Sequence, residues 1–204
     1  ASFLSLIKSL FDLYVIIQKG DIMFDRITDF AHKKINELVT KNDIVVDMTS
    51  GNGNDTLFLS KIAKHVYSFD IQEDAIKETT KLLDKNAITN VTLIHDGHQN
   101  IDKYVFDKIK CAVYNLGYLP GTDKSVTTLA TTTIESISKT LDYLALEGFV
   151  SITVYTGHKE GYNESIQITE FVSSLPSKKY NVILYSTLNK KAPPYNIFIE
   201  KIGE

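Results

Sequence analysis

Along this chain apolar positions recur in two rhythms, every second residue or about every 3.6 residues, and stretches of the two rhythms take turns. From residue 23 onward, β-branched and aromatic runs predict strands at 44–49, 65–70, 91–96, 109–115, 149–155, 180–188 and 195–201. Between them, apolar residues three or four apart predict helices. The first, at 25–40, carries Ile27, Phe30, Ala31, Ile35 and Leu38 on one stripe. Others are predicted at 55–63, 73–85 (Ile76, Thr80, Leu83), 125–146 (Val126, Leu129, Ile137, Leu141, Leu144) and 161–174. Gly148 reads as the stop of the long helix over 125–146. The last two strands follow one another across a short loop containing Pro193 and Pro194. Strands separated by helices make a mostly parallel α/β sheet covered on both faces, and the closing hairpin adds one antiparallel strand. In such sheets ligands bind beyond the carboxyl ends of the strands, where the strand order reverses.

Residues 1–22 stand apart. Phe3, Leu6, Ile7, Leu10, Tyr14 and Ile17 form an amphipathic helical pattern that ends at Lys19-Gly20. Its longest apolar run, Leu13 to Ile17, is too short to span a bilayer. Lys8 and Asp12 break any signal-peptide core. Met23 directly precedes the regular alternation, so residues 1–22 are expected to be an accessory or artificially added extension to a single domain over 23–204. The 204 residues suffice for one full-sized core. A net charge of -3 excludes a uniformly basic nucleic-acid binder but not a local basic face. The one cysteine, Cys111, excludes an intramolecular disulfide and a Cys-cluster zinc site. It lies in the apolar run Cys111 to Tyr114, as a buried thiol would, and a cytoplasmic protein that makes no use of a membrane is expected.

Candidate chemistry gathers at the strand ends. The first strand closes on Asp47 and is followed by Gly51-Asn52-Gly53-Asn54-Asp55-Thr56. Glycines let the backbone turn sharply and approach a ligand, and the helix start offers unpaired N–H groups. A dinucleotide fingerprint needs a third glycine at position 56, which is Thr56 here, so a Rossmann dehydrogenase is the weakest reading. Asp70 ends the second strand, where a carboxylate can accept from both hydroxyls of a ribose. Gln72 lies just beyond it. Asp96-Gly97-His98 ends the third strand. His95 reads as a packed strand histidine, and no ligand set has metal spacing, so no metal is expected.

An acidic residue ending the first strand before Gly-x-Gly resembles motif I of the class I S-adenosylmethionine (AdoMet) methyltransferases. The resemblance implies their Rossmann-like fold: a seven-stranded, mostly parallel sheet with one antiparallel strand and helices on both faces. It implies AdoMet as cofactor, S-adenosyl-L-homocysteine as product, and cofactor contacts from Asp47, Gly51, Asn52, Gly53, Asn54, Asp70, Gln72, Asp96, Gly97 and His98. At the end of the fourth strand, amino-methylating enzymes of this fold carry Asn/Asp-Pro-Pro-Tyr. Here Asn115 and Tyr118 keep the end residues, and Leu116-Gly117 replace the two prolines.

Asn115-Leu-Gly-Tyr-Leu-Pro-Gly121, with Tyr155-Thr-Gly-His158, Gly161 and Glu164, resembles the YtqB-like, or MnmM, family. These are tRNA wobble-uridine methyltransferases, once labelled rRNA methylases. The likeness extends to Lys190-Lys-Ala-Pro-Pro-Tyr-Asn196, where Lys191-Ala192 depart from the family's usual Asn. It implies methyl transfer to the amine of 5-aminomethyl-(2-thio)uridine in a tRNA anticodon stem-loop. Asn115, Tyr118 and His158 are then the expected catalytic residues, with His158 either accepting a proton or only binding phosphate. Gly117, Leu119, Pro120, Tyr155, Lys190 and Lys191 are expected to line the substrate, with Lys124 and Lys159 as further RNA contacts. Methylation of rRNA or of a small-molecule amine, and a non-catalytic AdoMet- or RNA-binding module, stay open, as do monomer and homodimer.

Overall fold

A computed structural model describes residues 26–116, 130–156 and 159–204, with the backbone alone for 159–163. The expected extension at 1–22 lies outside the described residues. Helix α1 (Ile27–Leu38) leads into β1 (Ile44–Asp47), α2 (Asn54–Ile62), β2 (His65–Asp70), α3 (Glu73–Lys85) and β3 (Val91–His95). A 3-10 helix (His98–Lys103), β4 (Ile109–Leu116), α4 (Ala130–Tyr143), β5 (Leu144–Val154), α5 (Lys159–Ser173), β6 (Tyr180–Ser186) and β7 (Tyr195–Lys201) follow. The strands form one seven-stranded sheet in the order β3-β2-β1-β4-β5-β7-β6. β7 runs antiparallel to both its neighbours, and the other pairs are parallel. The order reverses between β1 and β4, so the carboxyl ends of these two strands flank the switch point.

Alternation along the central strands sends side chains to two cores. Val45, Cys111 and Val113 join Ile35 of α1 and Leu59 of α2 on one face. Val46, Ala112 and Tyr114 join Ile137 and Leu141 of α4 and Ile168 and Val172 of α5 on the other. Burial on both faces explains why β1 and β4 read as nearly unbroken apolar runs. Tyr114 is fully buried, with its hydroxyl between Ser136 Oγ at 2.8 Å and Thr140 Oγ1 at 2.9 Å. Cys111 is buried as its apolar surroundings predicted, and burial pushes its thiol far up from the ordinary value.

Most predicted boundaries hold or shift by no more than two residues, as helix and strand ends commonly do. Two expectations fail outright. The long helix does not continue to 146: α4 ends at Tyr143, and Leu144 already pairs with Ile109. The next pair in register is Cys111 with Phe149, so Ala145 to Gly148 bulge opposite Lys110 alone. Lys110 Nζ donates to Glu147 O at 2.7 Å and Lys108 Nζ donates to Asp142 O at 2.8 Å, which satisfies carbonyls that the helix end and the bulge leave open. Gly148 is therefore not a helix stop. A Cβ there would lie 2.8 Å from Ala145 O and 3.1 Å from Ile109 O, so glycine allows the bulge to close against β4. His95, expected to be packed, is exposed, with Nε2 3.1 Å from Ile71 O, because it sits at the end of β3 on the sheet edge. Gly148→Ala is expected to destabilise the fold by about 1–3 kcal/mol through this overpacking. Urea denaturation measures it, and an unchanged midpoint would show that the bulge relaxes freely.

Candidate functional site

The glycine loop is built from backbone constraints outward. Gly51 and Gly53 both adopt left-handed backbone, with φ of 53° and 78°. A side chain at Gly53 would also strike Thr79 of α3, whose Oγ1 would be 2.8 Å from the added Cβ. Thr79 pins the loop from beneath: its Oγ1 lies 2.9 Å from Ser50 Oγ and donates to Gly51 O at 3.3 Å. Gly51 N donates to Asp70 Oδ2 at 2.8 Å and Gln72 N to Asp70 Oδ1 at 2.9 Å. Asp70 thus clamps the loop to the end of β2. Each carboxylate oxygen still has a lone pair to offer a ligand.

Asp47, at the end of β1, is wholly buried. Its Oδ1 accepts from Thr49 N at 3.1 Å, and its Oδ2 from Thr56 Oγ1 at 2.6 Å. Thr56 in turn lies 2.8 Å from Ser68 Oγ. The residue that breaks the dinucleotide fingerprint is therefore the hydroxyl that solvates Asp47. Desolvation, and then the charge of Asp55, push the Asp47 carboxyl up to about 7, against the two hydrogen bonds; Asp70 adds to the rise. Three carboxylates accordingly bear on one another around the loop.

Beside them stands the end of β4. Asn115 N donates to Thr49 Oγ1 at 2.8 Å, which ties β4 to the start of the glycine loop across the switch point. Asn115 Nδ2 donates to Asp55 Oδ2, in the first turn of α2. The other oxygen, Asp55 Oδ1, lies 2.7 Å from His32 Nε2 on α1. The His32 ring stacks on Phe58 with centroids 4.4 Å apart. The Asp55 hydrogen bond raises the His32 pKa despite desolvation. Tyr155, beyond β5, is 40% exposed, and desolvation followed by the Asp55 charge raises its phenol pKa. Thr156 Oγ1 donates to Pro193 O at 3.2 Å, so the loop carrying exposed Lys190 and Lys191 is tethered to the end of β5.

The third strand end is arranged differently. Asp96 accepts from Gly97 N at 2.7 Å, Asn100 Nδ2 at 2.9 Å and Tyr104 OH at 2.9 Å, closing its own 3-10 turn. Desolvation pushes the Asp96 carboxyl up, but the bonds from Asn100, Gly97 and Tyr104 outweigh it and lower the pKa. His98 is buried edge-on to Tyr114, and desolvation lowers its pKa to about 4, which leaves the ring neutral. Its Nδ1 has no hydrogen-bond partner among the described residues.

Comparison with known proteins bears on what this geometry serves. Residues 66–200 match the family described as Putative rRNA methylase. The chain belongs to this methylase family. An Arabidopsis thaliana family relative, a chloroplastic tRNA (mnm(5)s(2)U34)-methyltransferase, is 34% identical over 85% of this chain and 69% of its own length. A solved Clostridium thermocellum structure, described as a putative rRNA-methylase, superposes with a TM-score of 0.85 at 40% identity, over 88% of this chain and 99% of that one. A Streptococcus mutans protein described as a putative methyltransferase, solved in complex with SAH, superposes with a TM-score of 0.83 at 43% identity, over 87% of this chain and 99% of that one. The seven-stranded sheet is the class I methyltransferase fold of these neighbours.

Within this methylase the structure brings Asp47, Gly51, Gly53, Asp70, Gln72 and Asn115 to one end of the sheet, with Asn52 and Asn54 exposed along the loop. Gly97 is buried at the start of the 3-10 turn. Gly117, Tyr118, Leu119, Pro120, Lys124 and His158 lie outside the described residues, and the Lys159 side chain does too. Glu164 is buried, accepting from Thr133 Oγ1 at 3.0 Å. Sequence reasoning missed Thr49, Ser68 and His32, and assigned Asp55 only to a helix start. Ser68 left a trace, as a polar residue inside an apolar strand; His32 left none. Among the described residues no cluster of His, Cys, Asp and Glu could hold a metal ion, and no helix is long and apolar enough to cross a membrane.

The raised Asp47 carboxyl makes stability depend on pH. The folded chain holds this proton up to about 7, whereas the unfolded chain releases it near the ordinary 3.8. Its contribution is full below the lower value and is lost as pH rises through the upper one. Asp47→Asn keeps both hydrogen bonds, since its amide can accept from Thr49 N and donate to Thr56. The unfolding free energy of wild type minus that of Asp47→Asn is therefore expected to fall between about pH 5 and about pH 8. Urea denaturation of both proteins at the two pH values measures this, and a constant difference would contradict the assignment.

Proposed function

We propose that this protein transfers a methyl group from AdoMet to the amine of 5-aminomethyl-(2-thio)uridine at the tRNA wobble position, giving 5-methylaminomethyluridine. The observation that carries the reading is the pairing of two features at the switch point. One is an acidic glycine loop, and the other is an asparagine amide fixed at the end of β4. Asp70, together with Asp47 once it is ionised, makes the loop hostile to a pyrophosphate and favourable to a ligand that carries positive charge. AdoMet carries both an ammonium and a sulfonium. The name of the Arabidopsis relative supports the wobble uridine as the acceptor.

When bound, AdoMet supplies a methyl group already activated by its sulfonium, so the protein's task is alignment. Asp70 suits the ribose diol, and the 3-10 turn around Asp96 to His98 suits the adenine. The acceptor is an alkylamine resembling lysine, with a pKa of about 10.4, and freeing its lone pair at pH 7 costs on the order of 4–5 kcal/mol. Desolvation against Tyr155 and the expected loop residues Tyr118, Leu119 and Pro120 lowers that cost. The ammonium first gives up a proton, for which His158 is one candidate acceptor. The amine nitrogen then bonds to the methyl carbon as the C–S bond breaks, and the electron pair stays on sulfur as S-adenosyl-L-homocysteine. Asn115 Oδ1 accepts from the amine N–H and points its lone pair at the methyl carbon. Such positioning is worth about 7–11 kcal/mol in favourable cases.

Incubation of methyl-deuterated AdoMet with tRNA that carries unmethylated 5-aminomethyluridine, followed by nucleoside mass spectrometry, tests the reading. Label is expected in 5-methylaminomethyluridine. Unlabelled tRNA together with labelled rRNA or a labelled free amine would overturn the substrate. Asn115→Ala is expected to lower kcat about 100-fold or more while sparing AdoMet affinity, since only alignment of the amine is lost.

Lys190 and Lys191, in the loop tethered through Thr156 to the end of β5, supply positive charge for the anticodon backbone. Phosphate contacts release counterions, so tRNA affinity is expected to fall steeply between about 50 and about 200 mM salt, and less steeply for the Lys190→Ala/Lys191→Ala variant. Filter binding across that range reads both slopes, and parallel slopes would remove the two lysines from the interface.

A further inference from the structure

We propose that Asp55 and His32 are positioning residues that set which way round the Asn115 amide sits, and so which of its atoms faces the acceptor amine. The inference rests on the reading of Asn115 given above and extends it to two side chains that do not themselves meet the substrate.

An asparagine amide has a donor end and an acceptor end of nearly equal size, and only its partners decide their order. Asn115 has such a partner on one side, the Asp55 carboxylate. A carboxylate accepts and does not donate, so it takes the Nδ2 end and turns Oδ1 away. The backbone of Asn115 is held independently through Thr49 Oγ1 at 2.8 Å, so the amide turns about a fixed base. Reversed, the amide would present N–H to the N–H of the acceptor amine, and the lone pair of the amine would lose its aim.

Asp55 needs restraint of its own, because it sits in the first turn of α2 with about a fifth of its side chain exposed (18%). His32 provides it. Its Nε2 lies 2.7 Å from Asp55 Oδ1, and its ring is fixed against Phe58 at an interplanar angle of 18°. The His32 side chain is 39% exposed. The order Phe58, His32, Asp55, Asn115 thus runs from α1 and α2 to the end of β4 and turns Asn115 Oδ1 away from Asp55.

The polarity of the Asp55–Asn115 bond gives the test. Asp55→Asn replaces an acceptor by an amide that can donate or accept, so the Asn115 amide loses its orientation. The expected result is a fall in kcat of about 100-fold with AdoMet affinity kept within a few-fold. Exchanging the pair, in the double variant Asp55→Asn/Asn115→Asp, restores one donor facing one acceptor. His32 can still donate to the oxygen of the amide introduced at position 55, and residue 115 again turns an acceptor toward the amine. Partial recovery of kcat over Asp55→Asn, measured at alkaline pH where the amine is neutral, is the expected signature. A role for Asp55 in loop folding or helix charge alone predicts no recovery, because the exchange would then add a second lesion. His32→Ala is expected to lower kcat by less than Asp55→Asn and to leave KM for tRNA unchanged.

One readout does not depend on the acceptor. In NMR spectra of the 15N-labelled, AdoMet-loaded protein, the Asn115 side-chain amide, identified by its loss in Asn115→Ala, should be shifted downfield and protected from exchange. Both features should vanish in Asp55→Asn. An unprotected Asn115 amide in the wild type overturns the inference whatever the substrate, as does an active Asp55→Asn enzyme with unchanged kcat. A protected amide in a protein that leaves tRNA unlabelled would retain the brace and discard the tRNA reading.

Discussion

A buried carboxylate at the end of the central strand obliges the chain around it to supply donors. Moving an ionised carboxylate out of water costs several kcal/mol even after relaxation, so the group either neutralises or is surrounded by hydrogen bonds. Asp47 does both. Thr49 N and Thr56 Oγ1 satisfy it, Ser68 backs Thr56, and its proton is held well above the usual carboxylate range. Each of these partners comes from a different piece of chain: the loop after β1, the first turn of α2 and the interior of β2. Solvating one side chain therefore fixes the loop, the helix start and the neighbouring strand in relation to one another.

From this arrangement the rest of the site inherits its geometry. Thr49 donates its backbone N–H to Asp47 and accepts, through its hydroxyl, from the backbone of Asn115, so the ends of β1 and β4 are one residue apart in hydrogen-bond terms. Asp55 precedes Thr56 and is carried into place by the same helix turn, where its charge contributes to the proton affinity of Asp47. Similar proteins are described as a putative rRNA methylase and as a tRNA methyltransferase. Choice among acceptors then falls to the loops that cross the carboxyl ends of the strands.

Much of this was legible in the chain, and the boundary between legible and hidden follows from range of interaction. The succession of strands and helices, the glycine loop and the placing of Asp47, Asp70 and Asn115 at strand ends all follow from local patterns: alternation, a left-handed turn, a residue closing a run. The bulge in β5 did not, because the stripe of Leu141 and Leu144 keeps helical spacing past the true helix end. What stops the helix is pairing of Leu144 with Ile109, a contact that no local window contains. The Asp55 partnerships were hidden for the same reason, spanning 23 residues to His32 and 60 to Asn115. An acidic residue in the first turn of a helix has a sufficient local explanation in the helix dipole, and that explanation concealed the longer one.

Cys111 gives the central sheet an internal reporter. Its side chain lies on β4, whose neighbours are β1 and β5, under the cover of α1 and α2, and burial disfavours the thiolate that alkylating reagents attack. With no other thiol in the chain, every molecule that reacts has parted those strands or lifted that helical layer. The rate of alkylation thus reads out opening of the middle of the protein, separately from the fraying of its edges.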